Sequence, residues 1–185
     1  LQANFVIDLN AMVFGMPRAL FPAIATNVLG GDATTTGLLF AAPGAGALLA
    51  ALTSGWLSLV RRQGLAVVAS VVVWGVAMAT FGLTSSLAIA LPLLALAGAA
   101  DVVSAVFRNT ILQMAIPDAL RGRVSSVHIA VVTGGPRLGD LEAGGVAALT
   151  SLRFSVVSGG VACVLGALAV ARFMPELTRY RSHHS

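Results

Sequence analysis

Six long apolar stretches, separated by short loops, constrain this chain of 185 residues more than any other feature. Runs of about 20 apolar residues have the length that an α-helix needs to cross ~30 Å of hydrocarbon. Because lipid cannot satisfy free backbone groups, such unbroken runs fold as helices rather than as short alternating strands. The pattern predicts an all-α membrane protein, a bundle of six transmembrane helices at about 3–28, 35–60, 64–82, 87–116, 124–150 and 153–174.

Too few charges are present to cover a water-soluble surface. Charged residues make up 10% of the chain and hydrophobic residues 57%. The net charge of +4 is carried by arginine alone, an excess that sets topology in a membrane protein. The sequence has no basic stripe and no RNA-binding motif, so we do not expect a nucleic acid as partner. The single cysteine, Cys163, excludes an intramolecular disulfide and a cysteine-based metal site, and we expect neither a metal nor another cofactor.

The arginines predict how the chain crosses the bilayer. The intervening loops contain one arginine, Arg153, whereas seven lie after the second and fourth stretches and at the C-terminal end. Cytoplasmic loops carry the excess of positive charge. We therefore expect both termini in the cytoplasm, with residues 175–185 as a cytoplasmic tail.

The first apolar stretch contains two charges and two prolines. Asp8 and Arg18 lie within it, and Pro17 and Pro22 remove backbone donors and favour a kink. Ionisable groups are costly at membrane depth, so each is a functional candidate by default. A broken helix with Asp8 on a face of small residues suits a moving transporter helix. Static packing, with Asp8 near the cytoplasmic end, is the alternative.

The fourth stretch contains Asp101 and Arg108. Seven residues are nearly two helical turns, so both side chains leave one face, ~10 Å apart along the axis. A carboxylate that faces a cavity at mid-membrane suits proton binding or a cationic substrate. Arg108 is expected to pair with a carboxylate on another helix. A purely structural ion pair is the alternative to a cavity-lining role.

The fifth stretch is unusually polar for a membrane helix. Arg137 and Asp140 lie three residues apart, within reach of an intrahelical ion pair. Gly135 and Gly139 form a face on which another helix can pack closely. Such a segment requires shielding by protein or water rather than lipid.

Several motifs occur in a fixed order along the chain. They are Arg108-Asn109-Thr110, Gln113, the run from Pro117 through Arg121-Gly122-Arg123 to Val124, Arg137-Leu138-Gly139-Asp140 and Pro175-Glu176-Leu177. On six helices and in this order, they resemble the C-terminal half of a major facilitator superfamily transporter. The resemblance is to the branch of bacterial efflux proteins that contains the enterobactin exporter.

The resemblance gives a role to the two arginine loops. Cytoplasmic loops of the superfamily often read Gly-x-x-x-Asp-Arg-x-Gly, and the segment 55–64 keeps the glycines and the arginines but lacks the aspartate. That departure weakens the usual charge latch between loop and helix end. The loop residues to which the resemblance assigns gating are Gly55, Arg61, Arg62, Arg121 and Arg123.

The resemblance also implies secondary active transport. Proton entry would drive export of a small molecule across the inner membrane by alternating access between two six-helix halves. The resemblance is to the C-terminal half, and a chain that begins with Leu1 rather than Met looks like a fragment, so we expect its partner to be a missing N-terminal six-helix half. Asp101 is the expected protonatable group. The residues expected to line or brace the pathway are Asp8, Arg18, Asp101, Arg108, Arg137 and Asp140.

Other classes of function are weighed against transport. A non-transporting six-span scaffold or assembly partner remains the alternative. An intramembrane enzyme is not expected, because the sequence has no Ser/Lys or Ser/His pair, His-x-x-x-His or paired aspartates at suitable spacing. A channel would require a repeated selectivity loop, and none is visible.

Overall fold

A computed structural model describes residues 2–14, 17–60, 62–115 and 121–174, and every regular element in these ranges is helical. The prediction of an all-α protein is therefore confirmed for the described part of the chain. The elements are α1 (Gln2–Phe14), a 3₁₀ turn (Arg18–Leu20), α2 (Phe21–Asn27), α3 (Ala33–Leu52), a second 3₁₀ segment (Ser54–Leu59), α4 (Gln63–Leu83), α5 (Leu87–Ala115), α6 (Arg121–Leu149) and α7 (Leu152–Phe173).

Among the described residues, four helices are long and apolar enough to cross a membrane: α3, α4, α5 and α7. The first predicted span is instead two helices of 13 and 7 residues. The fifth, α6, has 29 residues but contains Arg137, Asp140 and Glu142 near its middle. Four of the six predicted spans are thus helices that could cross a membrane. The other two spans stay a prediction.

The first stretch breaks at its prolines, as predicted. Pro17 lies ahead of the 3₁₀ turn with φ −76° and ψ 76°, outside helical geometry. Pro22 lies in the first turn of α2, where the missing N–H needs no partner within the helix. The helix axis is therefore interrupted midway, and backbone groups that a continuous helix would satisfy require other partners.

The second stretch is shorter than predicted. One helix over 35–60 was expected, but α3 ends at Leu52 and a 3₁₀ segment follows. The Thr53 hydroxyl donates a hydrogen bond to the Leu49 carbonyl oxygen at 2.8 Å, which satisfies an acceptor of the last turn. Ser54 and Gly55 then follow, two residue types that favour turns over helix interiors.

Close approach between helices is made possible by glycine. A Cβ atom at Gly46 of α3 would overlap the Ala95 carbonyl of α5, and one at Gly98 would overlap that of Pro43. On the other side of the bundle, a Cβ at Gly160 of α7 would lie 2.7 Å from the Gly75 carbonyl oxygen of α4. Small residues at helix interfaces are typical of membrane bundles. The order of packing is α3 on α5, α5 on α4 and α4 on α7, with α1 against α6 and α7.

Large apolar side chains cover the outside of the bundle. Leu49, Leu52 and Leu165 are each more than 60% exposed. Continuous apolar surface of this kind is incompatible with a soluble monomer. Together with the four apolar helices, it identifies a multi-pass membrane protein.

Candidate functional site

An arginine on α5 joins two carboxylates from two helices. Arg108 Nη1 lies 2.6 Å from Asp8 Oδ1 of α1, and Arg108 Nη2 lies 3.6 Å from Asp101 Oδ1 of α5. The two α5 residues share one face because seven residues are nearly two turns. The prediction that Arg108 pairs with a carboxylate on another helix is confirmed.

The two contacts differ in burial. The side chains of Arg108 and Asp8 are 7% and 1% exposed, whereas that of Asp101 is 50% exposed. Removing one member of a buried pair leaves an uncompensated charge, which costs about 3–5 kcal/mol. Arg108 and Asp8 therefore form a buried unit, and Asp101 is the carboxylate of the three-residue group that solvent or a ligand can reach.

A cavity of about 200 Å³ opens beside this group. Its wall includes Met12, Arg18, Trp74, Asp101, Arg108 and Asp140, from α1, the first 3₁₀ turn, α4, α5 and α6. Four of the six predicted pathway residues line the cavity. Asp8 does not line the cavity but contacts Arg108, which does.

Asp140 has a partner that the sequence did not indicate. Its Oδ1 accepts a hydrogen bond at 3.0 Å from the backbone N–H of Ala19, in the 3₁₀ turn after the break. The first N–H groups of a helical segment lack partners of their own, so a carboxylate there acts as a cap. Arg137 lies within reach of Asp140 by its spacing, but it is exposed, and in the described ranges no ion pair joins the two residues.

The glycines of α6 bring that carboxylate into place. A Cβ atom at Gly139 would lie 2.6 Å from the Met12 carbonyl oxygen of α1, and one at Gly135 would lie 2.9 Å from the Met12 side chain. The prediction of a close-packing face at these two glycines is confirmed. Gly139 contacts α1, which lies before the break, and the next residue, Asp140, contacts the 3₁₀ turn that follows the break.

The residues assigned to loop gating are only partly described. Gly55 lies exposed in the second 3₁₀ segment, and Arg62 lies exposed just before α4. Arg61 lies outside the described residues. Arg121 and Arg123 belong to the first turn of α6, but their side chains lie outside the described part. Their gating role stays a prediction.

Two polar groups at the site were missed by the sequence analysis. Ser104 is 2% exposed and lies on α5 between Asp101 and Arg108, at spacings of three and four that could have revealed it. Trp74 of α4 lines the cavity, and periodicity could not distinguish a core position from an interfacial one. Within the described part of the chain, neither the Ser104 hydroxyl nor the Trp74 indole N–H has a hydrogen-bond partner.

The single cysteine contributes to helix packing. Cys163 is buried in α7, and its carbonyl oxygen accepts a 2.9 Å hydrogen bond from the Asn10 side chain of α1. Among the residues that the structure describes, no group of three or more His, Cys, Asp and Glu side chains could hold a metal ion. The polar site is thus built from arginine and aspartate.

Comparison with known proteins finds matches over nearly the whole chain. Relatives include the enterobactin exporter EntS of Citrobacter koseri, 34% identical over 164 residues, and those of Shigella boydii and Escherichia fergusonii, each 32% identical over 164 residues. These matches cover 89% of this chain but 39% of each relative, so the chain spans about two fifths of their length. No solved structure matches the chain significantly.

The family model described as "Transmembrane secretion effector" matches residues 5–183. The matched relatives are named as exporters, and the family is one of membrane transport proteins rather than enzymes. The resemblance seen in the sequence motifs is confirmed. The chain belongs to the transmembrane secretion effector family of the major facilitator superfamily.

Proposed function

We propose that this chain is the C-terminal six-helix half of an efflux transporter of the bacterial inner membrane. The full transporter exports a small molecule by alternating access, coupled to proton entry, together with an N-terminal six-helix half. Two findings support the export function: the family match over 5–183 and the exporter names of the relatives. The fraction of each relative that is matched, 39%, suits one half of such a protein.

The proposed six spans comprise the four apolar helices and two polar ones. The first is α1 and α2 taken together across the break, and the fifth is α6. Close packing of α6 on α1 through Gly139 supports this arrangement, because protein rather than lipid then covers one face of each polar segment. The distribution of arginines supports cytoplasmic positions for both termini.

The arrangement around Arg108 is the observation on which proton coupling rests. Three carboxylates, from Asp8, Asp101 and Asp140, share the site with the two guanidinium groups of Arg18 and Arg108. With all of them ionised, the site carries one excess negative charge, which one proton or one cationic group would neutralise. Buried charges that lack compensation are costly, so the site favours uptake of one positive charge.

Asp101 is the proposed proton acceptor among the three carboxylates. It is half-exposed, and its contact with Arg108 is the longer of the two. When Asp101 is protonated, Arg108 stays neutralised by Asp8, so no buried arginine is left alone. Protonation would release the cavity-facing side of Arg108, and the broken first helix would let the surrounding helices move.

Transport in vesicles tests this proposal. The full-length protein in proteoliposomes is expected to move enterobactin, the first probe because the relatives are named for it, when a pH gradient is imposed. Asp101→Asn should abolish the gradient-driven movement but keep exchange of enterobactin between equal pools. Asp32→Asn, the same change at an exposed helix cap, is the matched control and should behave as the unaltered protein.

Two outcomes contradict the proposal in different ways. Full gradient-driven movement by Asp101→Asn would remove Asp101 from the coupling role. If the unaltered protein shows neither driven movement nor exchange of enterobactin or of other small amphipathic molecules, the non-transporting scaffold becomes the better description.

A further inference from the structure

A second cavity shares no lining residue with the charged site. It is an open groove of about 360 Å³ between α3, α4 and α5. Its walls include Ala50 of α3, Ala69 and Val73 of α4, and Leu96 and Ala99 of α5. Apart from two hydroxyl residues, its lining consists of Ala, Val and Leu. The groove is therefore an apolar site, unlike the first cavity.

The groove lies on the membrane-facing part of the molecule. All three of its helices are long and apolar enough to cross a bilayer. Its wall residues Val73 and Leu96 are 41% and 48% exposed, so the groove is reached from outside the bundle. Four of its lining residues are alanines, Ala50, Ala69, Ala99 and Ala100, and they leave room that larger side chains would fill. Because the membrane interior is as apolar as the groove, an acyl chain would be held there by close van der Waals packing rather than by the hydrophobic effect.

An arginine precedes one of the three helices that form the groove. Arg62 is the N-cap residue of α4, with φ −97° and ψ 68°, and the groove residues Ala69 and Val73 follow it by seven and eleven positions. At 1.5 Å per residue, Arg62 therefore lies at the end of α4, roughly 10 to 16 Å along the axis from these two residues. Arg62 is exposed, and no carboxylate among the described residues forms an ion pair with it.

We propose that the groove binds one acyl chain of an anionic phospholipid, whose phosphate is held by Arg62. The apolar lining fits a hydrocarbon chain, and the positive charge at one end fits a negatively charged headgroup at the membrane surface. No residue of this lipid site lines the charged cavity, so lipid retention can be tested separately from transport.

Lipid retention by the purified full-length protein tests the site. After delipidation, phosphatidylglycerol and phosphatidylcholine with identical acyl chains are added in equal amounts, and bound lipid is counted by native mass spectrometry. One arginine near a headgroup corresponds to about a fivefold preference for the anionic lipid. Arg62→Gln should abolish the preference, and Ala69→Phe, which fills the groove, should abolish retention of both lipids.

Matched variants control for general effects on charge and folding. Arg153→Gln removes an exposed arginine from the first turn of α7, and Ala169→Phe enlarges an exposed alanine of the same helix; both should keep the fivefold preference. Ala99→Phe is a second groove-filling change if Ala69→Phe lowers the thermal unfolding midpoint. The proposal is overturned by equal retention of both lipids by the unaltered protein, by a preference that survives Arg62→Gln, or by undiminished retention when both groove-filling variants are folded.

Discussion

The contact between α3 and α5 differs in kind from the contact between α1 and α5. At the first, Gly46 and Gly98 let backbone lie against backbone, with no charged group between the helices. At the second, the helices meet through the ion pair of Asp8 and Arg108, two side chains that span the gap. The position of α5 is therefore fixed against α3 by close backbone packing and against α1 by an ion pair.

This difference has a consequence for motion. A close backbone contact has one favourable position, because a shift creates overlap or a void. An ion pair on long side chains tolerates small changes of helix position, and its strength depends on protonation and on competing charges. The α3–α5 pair is thus suited to move as a rigid unit, and the contacts of α5 with α1 are suited to change.

Breaking the ion pair should give the largest effect on stability. Arg108→Met leaves the carboxylate of Asp8 buried without its arginine, and we expect a loss of about 3–5 kcal/mol in the free energy of unfolding. Unfolding in mixed micelles with increasing SDS measures it. The double variant Asp8→Leu/Arg108→Met removes both charges and should recover most of the loss. If the double variant is as unstable as Arg108→Met, the damage comes from lost packing and not from the stranded charge.

Breaking the glycine contact should give the next largest effect. Gly98→Ala places a methyl group on the Pro43 carbonyl of α3, and we expect overpacking to cost about 1–3 kcal/mol. The control is Gly44→Ala on the same helix as Pro43, where an added Cβ meets nothing and alanine is the better helix former. The same SDS titration compares them. Equal stability of the two variants would mean that α3 and α5 are not in close contact in the membrane.

Within the polar region, the contact of Asp140 is a hydrogen bond and not a buried ion pair, so its loss should have a smaller effect on stability than the loss of Arg108. Asp140→Ala should cost about 1 kcal/mol and speed hydrogen exchange at the Ala19 N–H. Asp140→Asn keeps an oxygen acceptor and should protect the Ala19 N–H almost as well as aspartate does. Slow exchange at Ala19 in Asp140→Ala would show that another group satisfies this N–H.

Sequence reasoning was sufficient where the signal is local. The break of the first span follows from Pro17 and Pro22, which restrict the backbone wherever they occur. The shared face of Asp101 and Arg108 follows from helical spacing alone. The close-packing role of Gly135 and Gly139 likewise needed only their spacing of four residues.

Contacts between distant parts of the chain could not be predicted from spacing. Asp8 and Arg108 are 100 positions apart, so their pairing depends on how α1 is placed against α5. Asp140 was within reach of Arg137 on its own helix, yet it accepts from Ala19 because α6 packs across the break in the first span. The end of α3 at Leu52 was missed because hydropathy continues past it, although the turn-forming residues after Thr53 were visible.

The smallest effect is expected at a helix cap outside the membrane, which serves as a reference for the other contacts. Asp32 accepts a 3.1 Å hydrogen bond from the Thr35 backbone N–H, and this bond lowers the pKa of the Asp32 carboxyl below its ordinary value of 3.8. Since the pKa is lower in the folded state, the stabilisation is complete above about pH 4 and is lost as the pH falls through the folded value. Asp32→Asn keeps the cap and should remove this pH dependence.

The measurement is hydrogen exchange at the Thr35 N–H between pH 2 and 6, corrected for intrinsic rates. Protection should decrease toward low pH in the unaltered protein and stay level in Asp32→Asn. The same decrease in both proteins would assign it to carboxylates elsewhere.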